Sequence, residues 1–381
     1  MEVRFFEQGP IRPPSEAQSL LVRVNRNCPW NKCAFCRTYK GTKFELRDVK
    51  EVKRDIDAIA DIVTDLKELS FREGEGGQMT RRLLSLVYNR YHEEGYRRVA
   101  FWLYFGGKNV FLQDADPLIM KTEAMVEILS YLREKLKSVE RITTYLRAKT
   151  ACIKSEEDFK KLKEAGLSRI HMGLESGSDV VLQLVKKGVT KEEHIKAGRK
   201  IREANLSLCT YVMPGLGGKM YTHEHARETA SVISAINPDF VRLRSLHVVK
   251  GTPLREMMEK NEFFPLTEDE TVGEIREFIE QLQVVETTLV SDHILNLLEE
   301  VEGKIPQEKG KILEVIDKYF SLPEEERMVF QLGRRMGIYR GLGDLQDLET
   351  YLRLKTIVEE YRGADHGAFE RYLNSVKDQF V

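Results

Sequence analysis

The sequence predicts an α/β fold: a partial (β/α)6 barrel, an incomplete TIM-like barrel, with a helical C-terminal region. Three observations carry this. Strand and helix patterns alternate six times between residues 20 and 255, and such alternation builds a parallel sheet with helical crossovers. Six units are too few to close an eight-fold barrel. A doubly wound sheet would carry a glycine-rich phosphate turn straight after its first strand. Here that place reads "NRNCPWNKCAFCRTYKG", residues 25–41.

Residues 1–19 are proline-rich and lack periodicity, so they are expected to form an arm. "LLVRVN" (20–25) is the first strand and ends at the cysteines. Residues 46–69 then place Val49, Val52, Ile56, Ile59, Ile62, Val63 and Leu66 at helical spacing. "SFREGEGGQMTRR" (70–82) is polar and glycine-rich, expected as a mobile insert. With the helical stretch that carries Val99, Trp102 and Leu103 to a Gly106–Gly107 cap, it makes a helical insert over about 67–107. Further strands are expected at 109–114, 141–147, 168–176, 206–215 and 239–248, with helices such as "TEAMVEILSYLREKL" between them. The expected domains are an arm (1–19), a core (20–255) and a helical region (256–381). In that last region "ILNLLEEVEG" and four other stretches read as helices, and "ETTLVS" (286–291) reads as extended.

Composition narrows the function classes. Basic and acidic residues number 60 and 61, so net charge does not indicate nucleic acid. No apolar run has membrane-spanning length, and the N-terminus lacks a secretory pattern. Five cysteines, three of them within nine residues, do not resemble a disulfide framework. The cytoplasm, where thiols stay reduced, is the expected compartment.

Cys28, Cys33 and Cys36 suit a soft metal. Structural zinc takes four ligands, and so do most iron–sulfur clusters. Three thiolates without a fourth nearby leave one metal position open, as reactive centres do. Zinc with a histidine or aspartate as fourth ligand is the alternative, in an α/β binding protein without redox chemistry. The loop leaves the C-terminal end of the first strand, where α/β folds place active sites.

The loop resembles the cysteine motif of the radical SAM superfamily. The half "CAFC" (33–36) matches that family, whereas Cys28 and Cys33 have four residues between them, "PWNK", rather than three. The resemblance implies that Cys28, Cys33 and Cys36 hold a [4Fe–4S] cluster and that S-adenosylmethionine (SAM) binds its open iron. Reductive cleavage then yields a 5′-deoxyadenosyl radical that abstracts hydrogen from a substrate. An electron donor such as ferredoxin or flavodoxin is implied as partner. Phe35 would offer its backbone to the adenine. "FLQDADPL" stands where the family holds the SAM amino group, implying Asp114 and Asp116; Asp116 could equally shape a turn or cap a helix. "HMGLESGS" implies Glu175 and Ser176 near the ribose or carboxylate, while Ser178 and Gly177 also suit a strand-to-helix turn. "YVMPGLGG" (211–218) is similar to a segment packed near the adenine. Arg147, on a face with Thr143 and Tyr145, would meet the SAM carboxylate or a substrate acid, or else reach solvent. His247 is left outside the site. Cys152 and Cys209 are too few for a second cluster, and Cys209 reads as a buried small hydrophobe. The C-terminal "SDHILNLLEEVEGKIP" resembles a microbial subgroup of the family and supplies no substrate. Modification of RNA or protein is a second alternative. The general acids and bases, the substrate and the fate of SAM are not legible.

Overall fold

A computed structural model of the chain describes residues 4–283, 286–362 and 367–380. Contacts group them into two compact units: residues up to 31, 38–172 and 196–208 in one, and 32–37, 173–195 and 209 onward in the other.

In the first unit the parallel strands are β1 (Leu20–Arg23), β2 (Asn109–Gln113), β3 (Arg141–Leu146) and most of β4 (Leu167–Glu175). They pair in parallel in chain order, with Arg23 opposite Gln113 and Leu112 opposite Thr144. The crossover helix Val49–Arg72 starts at Asp48, whose carboxylate accepts the Lys50 N–H at 2.8 Å. Its buried residues Val52, Ile56, Ile59, Ile62, Leu66 and Leu69 recur every three or four positions. It runs on through Ser70–Arg72, which the sequence placed in the polar insert. The insert then forms two helices, Arg81–Arg90 and Glu94–Tyr104, the second ending in Gly106 and Gly107 at positive φ.

The N-terminal arm is built into this unit. The Gln113 side chain accepts the Gly9 N–H at 2.8 Å and donates to the Gly9 and Ile11 carbonyls. A side chain at position 9 would place its Cβ 2.1 Å from the Asp114 carboxylate, which its own partners hold in place. Gly9→Ala should therefore cost about 1–3 kcal/mol by overpacking. Urea denaturation checks this, and an unchanged midpoint would contradict the packing.

The second unit holds β5 (Ser207–Val212, from Cys209 onward), β6 (Phe240–Leu243), β7 (Thr287–Val290) and β8 (Gly303–Ile305). β5, β6 and β7 pair in parallel; β8 pairs antiparallel to β7. The six expected strands are thus present, and the second unit adds β7, parallel to β6, and the antiparallel β8. Four expected C-terminal helices form, at Glu268–Gln281, Lys309–Ser321, Glu324–Arg335 and Leu348–Arg362.

"ILNLLEEVEG" is not helical. Arg335 takes the carbonyls of Ile294 and Leu295, and Arg334 those of Asn296 and Leu297. The Asn296 amide binds Ser245 and the Leu243 carbonyl. Tertiary partners thus satisfy backbone groups that a helix would have used. No helix among the described residues is long and apolar enough to cross a membrane.

Candidate functional site

In a parallel sheet the segments leaving the strand C-termini gather along one edge. In the first unit these are the two ends of the cysteine loop after β1, with Cys28, Asp114 and Asp116 after β2, and Arg147 after β3.

Asp114 is fully buried and fastens the loop. One carboxylate oxygen accepts from Arg23 Nη2 at 2.5 Å, Arg23 Nε at 2.9 Å and the Asn27 N–H at 3.1 Å. The other accepts from the Tyr39 hydroxyl at 2.9 Å. Asn27 immediately precedes Cys28, and Tyr39 follows Cys36 by three residues. One carboxylate thus ties both ends of the loop. Burial, with the adjacent carboxylate, pushes the Tyr39 phenol far above its ordinary value and keeps it a donor.

Within the loop, Asn27 and Asn31 adopt left-handed φ of 67° and 49°, which asparagine tolerates better than most residues. The Asn31 N–H points at Cys28 Sγ at 3.4 Å, and its amide donates to the Tyr39 carbonyl. Lys40 Nζ closes the turn on the Asn31 carbonyl at 2.9 Å. The Arg147 guanidinium lies 5.1 Å from the centroid of the Trp30 ring, so it reaches the loop rather than running to solvent alone.

Asp116 is also fully buried, accepting from the Arg147 N–H at 3.3 Å and the Thr150 hydroxyl at 2.6 Å. Burial pushes it up to about 6, against the pull of those two bonds. A raised carboxyl favours folding while protonated. Its stabilisation is therefore greatest below the ordinary 3.8 and is lost as pH rises through about 6. Asp116→Asn should flatten the fall in stability of the apo chain across that window. Urea titrations at about pH 4 and pH 7 measure it, and an unchanged slope would contradict the assignment.

In the second unit, Ala34 is the anchor of the CAFC segment. It is buried against Val181, Val185, Met213, Leu216, Val248 and Leu254. Its N–H donates to the Val185 carbonyl at 2.8 Å, and its carbonyl accepts from the Leu254 N–H at 3.0 Å. The Cys36 N–H turns back on the Cys33 carbonyl at 3.4 Å. Half-buried Phe35 has Lys187 Nζ 5.9 Å from its ring centroid, and that ammonium donates to Glu175 Oε1 at 3.0 Å. Glu175 sits at φ 67°, its carbonyl bound by the Met213 N–H.

Ser176 is buried with its hydroxyl on His225 Nδ1 at 2.8 Å, and His225 Nε2 lies on the Met213 carbonyl at 3.1 Å. Ser178 caps the following helix, and the space beside Gly177 is filled by the Glu228 carbonyl, which a Cβ there would meet at 2.3 Å. Gly215 N–H donates to the buried Glu274 carboxylate at 2.6 Å, which also accepts from Thr222. The glycine segment is therefore held from below by an acid that burial pushes above its ordinary value.

None of the five cysteines is in a disulfide; Cys28, Cys33 and Cys36 are half-buried and Cys209 is buried. Among the described residues no group of three His, Cys, Asp or Glu is gathered to hold one metal ion, so the zinc reading has no donor set there. Each thiolate of a four-iron cluster binds a different iron, so that chemistry does not call for convergence on one ion. Three reduced thiols on one loop are the donor type such a cluster takes.

Sequence reasoning missed Arg23, Asn27, Asn31, Tyr39, Lys187 and His225. The two asparagines bracketing Cys28 were the available signal, since asparagine favours left-handed turns. The others act through partners distant in the chain.

Residues 80–231 match the family model described as Radical SAM superfamily, and residues 238–286 the one described as Radical_SAM C-terminal domain. The cysteine loop precedes both segments. The tRNA uridine(34) acetyltransferase of Methanocaldococcus infernus is 28% identical over 119 residues, 31% of this chain and 22% of that protein. Biotin synthase of Bacillus pumilus is 29% identical over 126 residues, 32% of this chain and 37% of that protein. The chain spans between 22% and 34% of the length of the first curated relatives it matches. Among solved structures, coproporphyrinogen III oxidase (HemN) of Escherichia coli aligns at TM-score 0.43 and 15% identity over 69% of this chain and 52% of that one. Methylornithine synthase (PylB) aligns at TM-score 0.43 and 14% identity over 73% and 68%.

Proposed function

Because this chain belongs to the radical SAM superfamily, we propose that it is an iron–sulfur enzyme that cleaves SAM and uses the resulting radical on a substrate. Members of that superfamily use a [4Fe–4S] cluster and SAM. Cys28, Cys33 and Cys36 would hold the cluster. When bound, it supplies one electron to the sulfonium of SAM, releasing methionine and the 5′-deoxyadenosyl radical. The single observation that carries the reading is the half-buried loop of three cysteines outside any disulfide, its ends fastened by the buried Asp114.

The chain's own residues prepare that chemistry. Asp114, Asn27 and Tyr39 hold the loop ends, which limits the thiols' freedom before any ligand binds. The Asn31 N–H directed at Cys28 Sγ stabilises a thiolate there. Of the acids the resemblance assigns to SAM, Glu175 is held by Lys187 and Asp116 by the Arg147 N–H and the Thr150 hydroxyl, while Arg147 is the cation it assigns to a carboxylate. The backbone of Phe35 is the adenine contact of this reading. The hydroxyl of Ser176 and both carboxylate oxygens of Asp114 already have protein partners. Their part is to support the site from behind.

The reading includes an electron donor of the ferredoxin or flavodoxin kind and a reducing, cytoplasmic compartment that keeps the thiols free. Anaerobic incubation of the iron-reconstituted chain with SAM and dithionite tests it, by formation of 5′-deoxyadenosine.

A further inference from the structure

The second unit joins two strand-end turns through one buried histidine. His225, on the helix Gly218–Ile236, is 1% exposed. Its Nδ1 lies 2.8 Å from Ser176 Oγ, in the turn after β4. Its Nε2 lies 3.1 Å from the Met213 carbonyl, in the turn after β5. That carbonyl can only accept, so Nε2 carries the hydrogen. Ser176 Oγ already accepts the Ser178 N–H at 3.1 Å, which leaves its hydroxyl to donate to Nδ1. Both ring nitrogens are thus spent on the two turns.

The turns need such a hold. Glu175 sits at φ 67°, a conformation that glutamate keeps only where its surroundings impose it. Met213 imposes it on one side, its N–H bonding the Glu175 carbonyl at 3.0 Å, and Ser176 on the other, next in the chain. Both end on the same imidazole. Met213 and Leu216 also pack in the cluster that buries Ala34. The ring therefore braces Glu175 and the anchor of the CAFC segment together. Gly215 is held separately by Glu274, whose carboxylate is 3.6 Å from Nε2 and so beyond hydrogen-bond reach of the ring.

The cavity beside His225, between Val212, Thr229, Glu274 and Phe278, measures about 10 Å³. That is the least that holds one water. What the histidine does for the chemistry therefore passes through its protein partners.

We propose that His225 is a positioning residue, which locks the turns after β4 and β5 into one piece and so sets Glu175 and the CAFC anchor for SAM. The role toward SAM rests on the function proposed above; the locking of the turns stands apart from it.

Two variants divide the ring, because an asparagine amide takes the place of Nδ1 and a glutamine amide that of Nε2. His225→Asn should keep the Ser176 bond and lose the Met213 bond, and His225→Gln the reverse. In the folded apo chain, hydrogen exchange of residues 173–178 and 211–216 should quicken together in both variants. On the iron-reconstituted chain, both should bind S-adenosylhomocysteine about ten- to a hundredfold more weakly. His223→Gln, at an exposed position two residues earlier on the same helix, should leave both readouts unchanged. A merely stabilising histidine would lower the denaturation midpoint and leave the affinity at equal folded fraction as it was. Exchange that quickens only on the side that lost its bond, or normal affinity in a folded variant, would overturn the proposal. If the unaltered chain binds no S-adenosylhomocysteine while the variants loosen both segments, the function falls and the lock between the turns stands.

Discussion

Cys33→Ala should abolish iron loading and SAM cleavage together while leaving the chain folded. Loss of outer partners of a metal site weakens it by about 10–100-fold, so loss of a direct ligand should exceed about a hundredfold. The fold should survive because the local anchor is Ala34. Its two backbone bonds, to Val185 and Leu254, and its burial do not involve the thiol. Half-buried Cys33 gives up little packing on truncation to alanine. Iron content, visible absorbance and circular dichroism after anaerobic reconstitution separate the two effects. A variant that still binds a full complement of iron would contradict the ligand assignment.

The second large effect is expected at Asp114. Asp114→Ala removes the acceptor for Arg23, Asn27 and Tyr39 at once. Breaking a buried ion pair by deleting one partner costs about 3–5 kcal/mol, because the other charge is left in low dielectric. Arg23 keeps Glu7 at 2.8 Å, so the lower end of that range applies. Asp114→Asn retains the volume and one acceptor and should cost less. Both variants free the loop ends, so iron should be lost to a chelator faster than from the unaltered chain at equal folded fraction. A purely structural role would lower the denaturation midpoint without changing that rate. Retention of iron at the normal rate by folded Asp114→Asn would therefore reject the fastening role.

The core was legible because burial follows short-range periodicity. Of the apolar residues the sequence spaced along the helix Val49–Arg72, the structure buries Val52, Ile56, Ile59, Ile62 and Leu66 and leaves Val49 and Val63 half-buried. Strand positions followed from apolar runs between helical segments, for the same reason. The segment 294–303 was misread because its leucines imitate a helix, while the decision lay with Arg334 and Arg335, some forty residues on. No local pattern records where an arginine will find its carbonyls. The short β8, three residues long, carries too little pattern to read.

The candidate site divided in the same way. The three cysteines could be singled out as candidates from spacing alone, since nearness on one loop is a local property. The acid after β2 was legible as important but not in its role. Asp114 and Asp116 look alike in sequence, yet one is saturated by Arg23 and Tyr39 and the other lies against Thr150. His247 looked like an ordinary structural histidine, and its bond to Asp378 lies 131 residues away. That partner lies in the last described helix turn, beyond the reach of any local pattern.

The central claim is that three thiols, and no fourth, hold a cluster with an iron left open to SAM. Its most direct measurement is product analysis of the full chain, reconstituted anaerobically with iron and sulfide, then mixed with SAM and dithionite. The account predicts a brown protein with about four irons that forms 5′-deoxyadenosine and methionine. A chain that loads this cluster and leaves SAM intact, or one that remains colourless and takes up zinc alone, would contradict it.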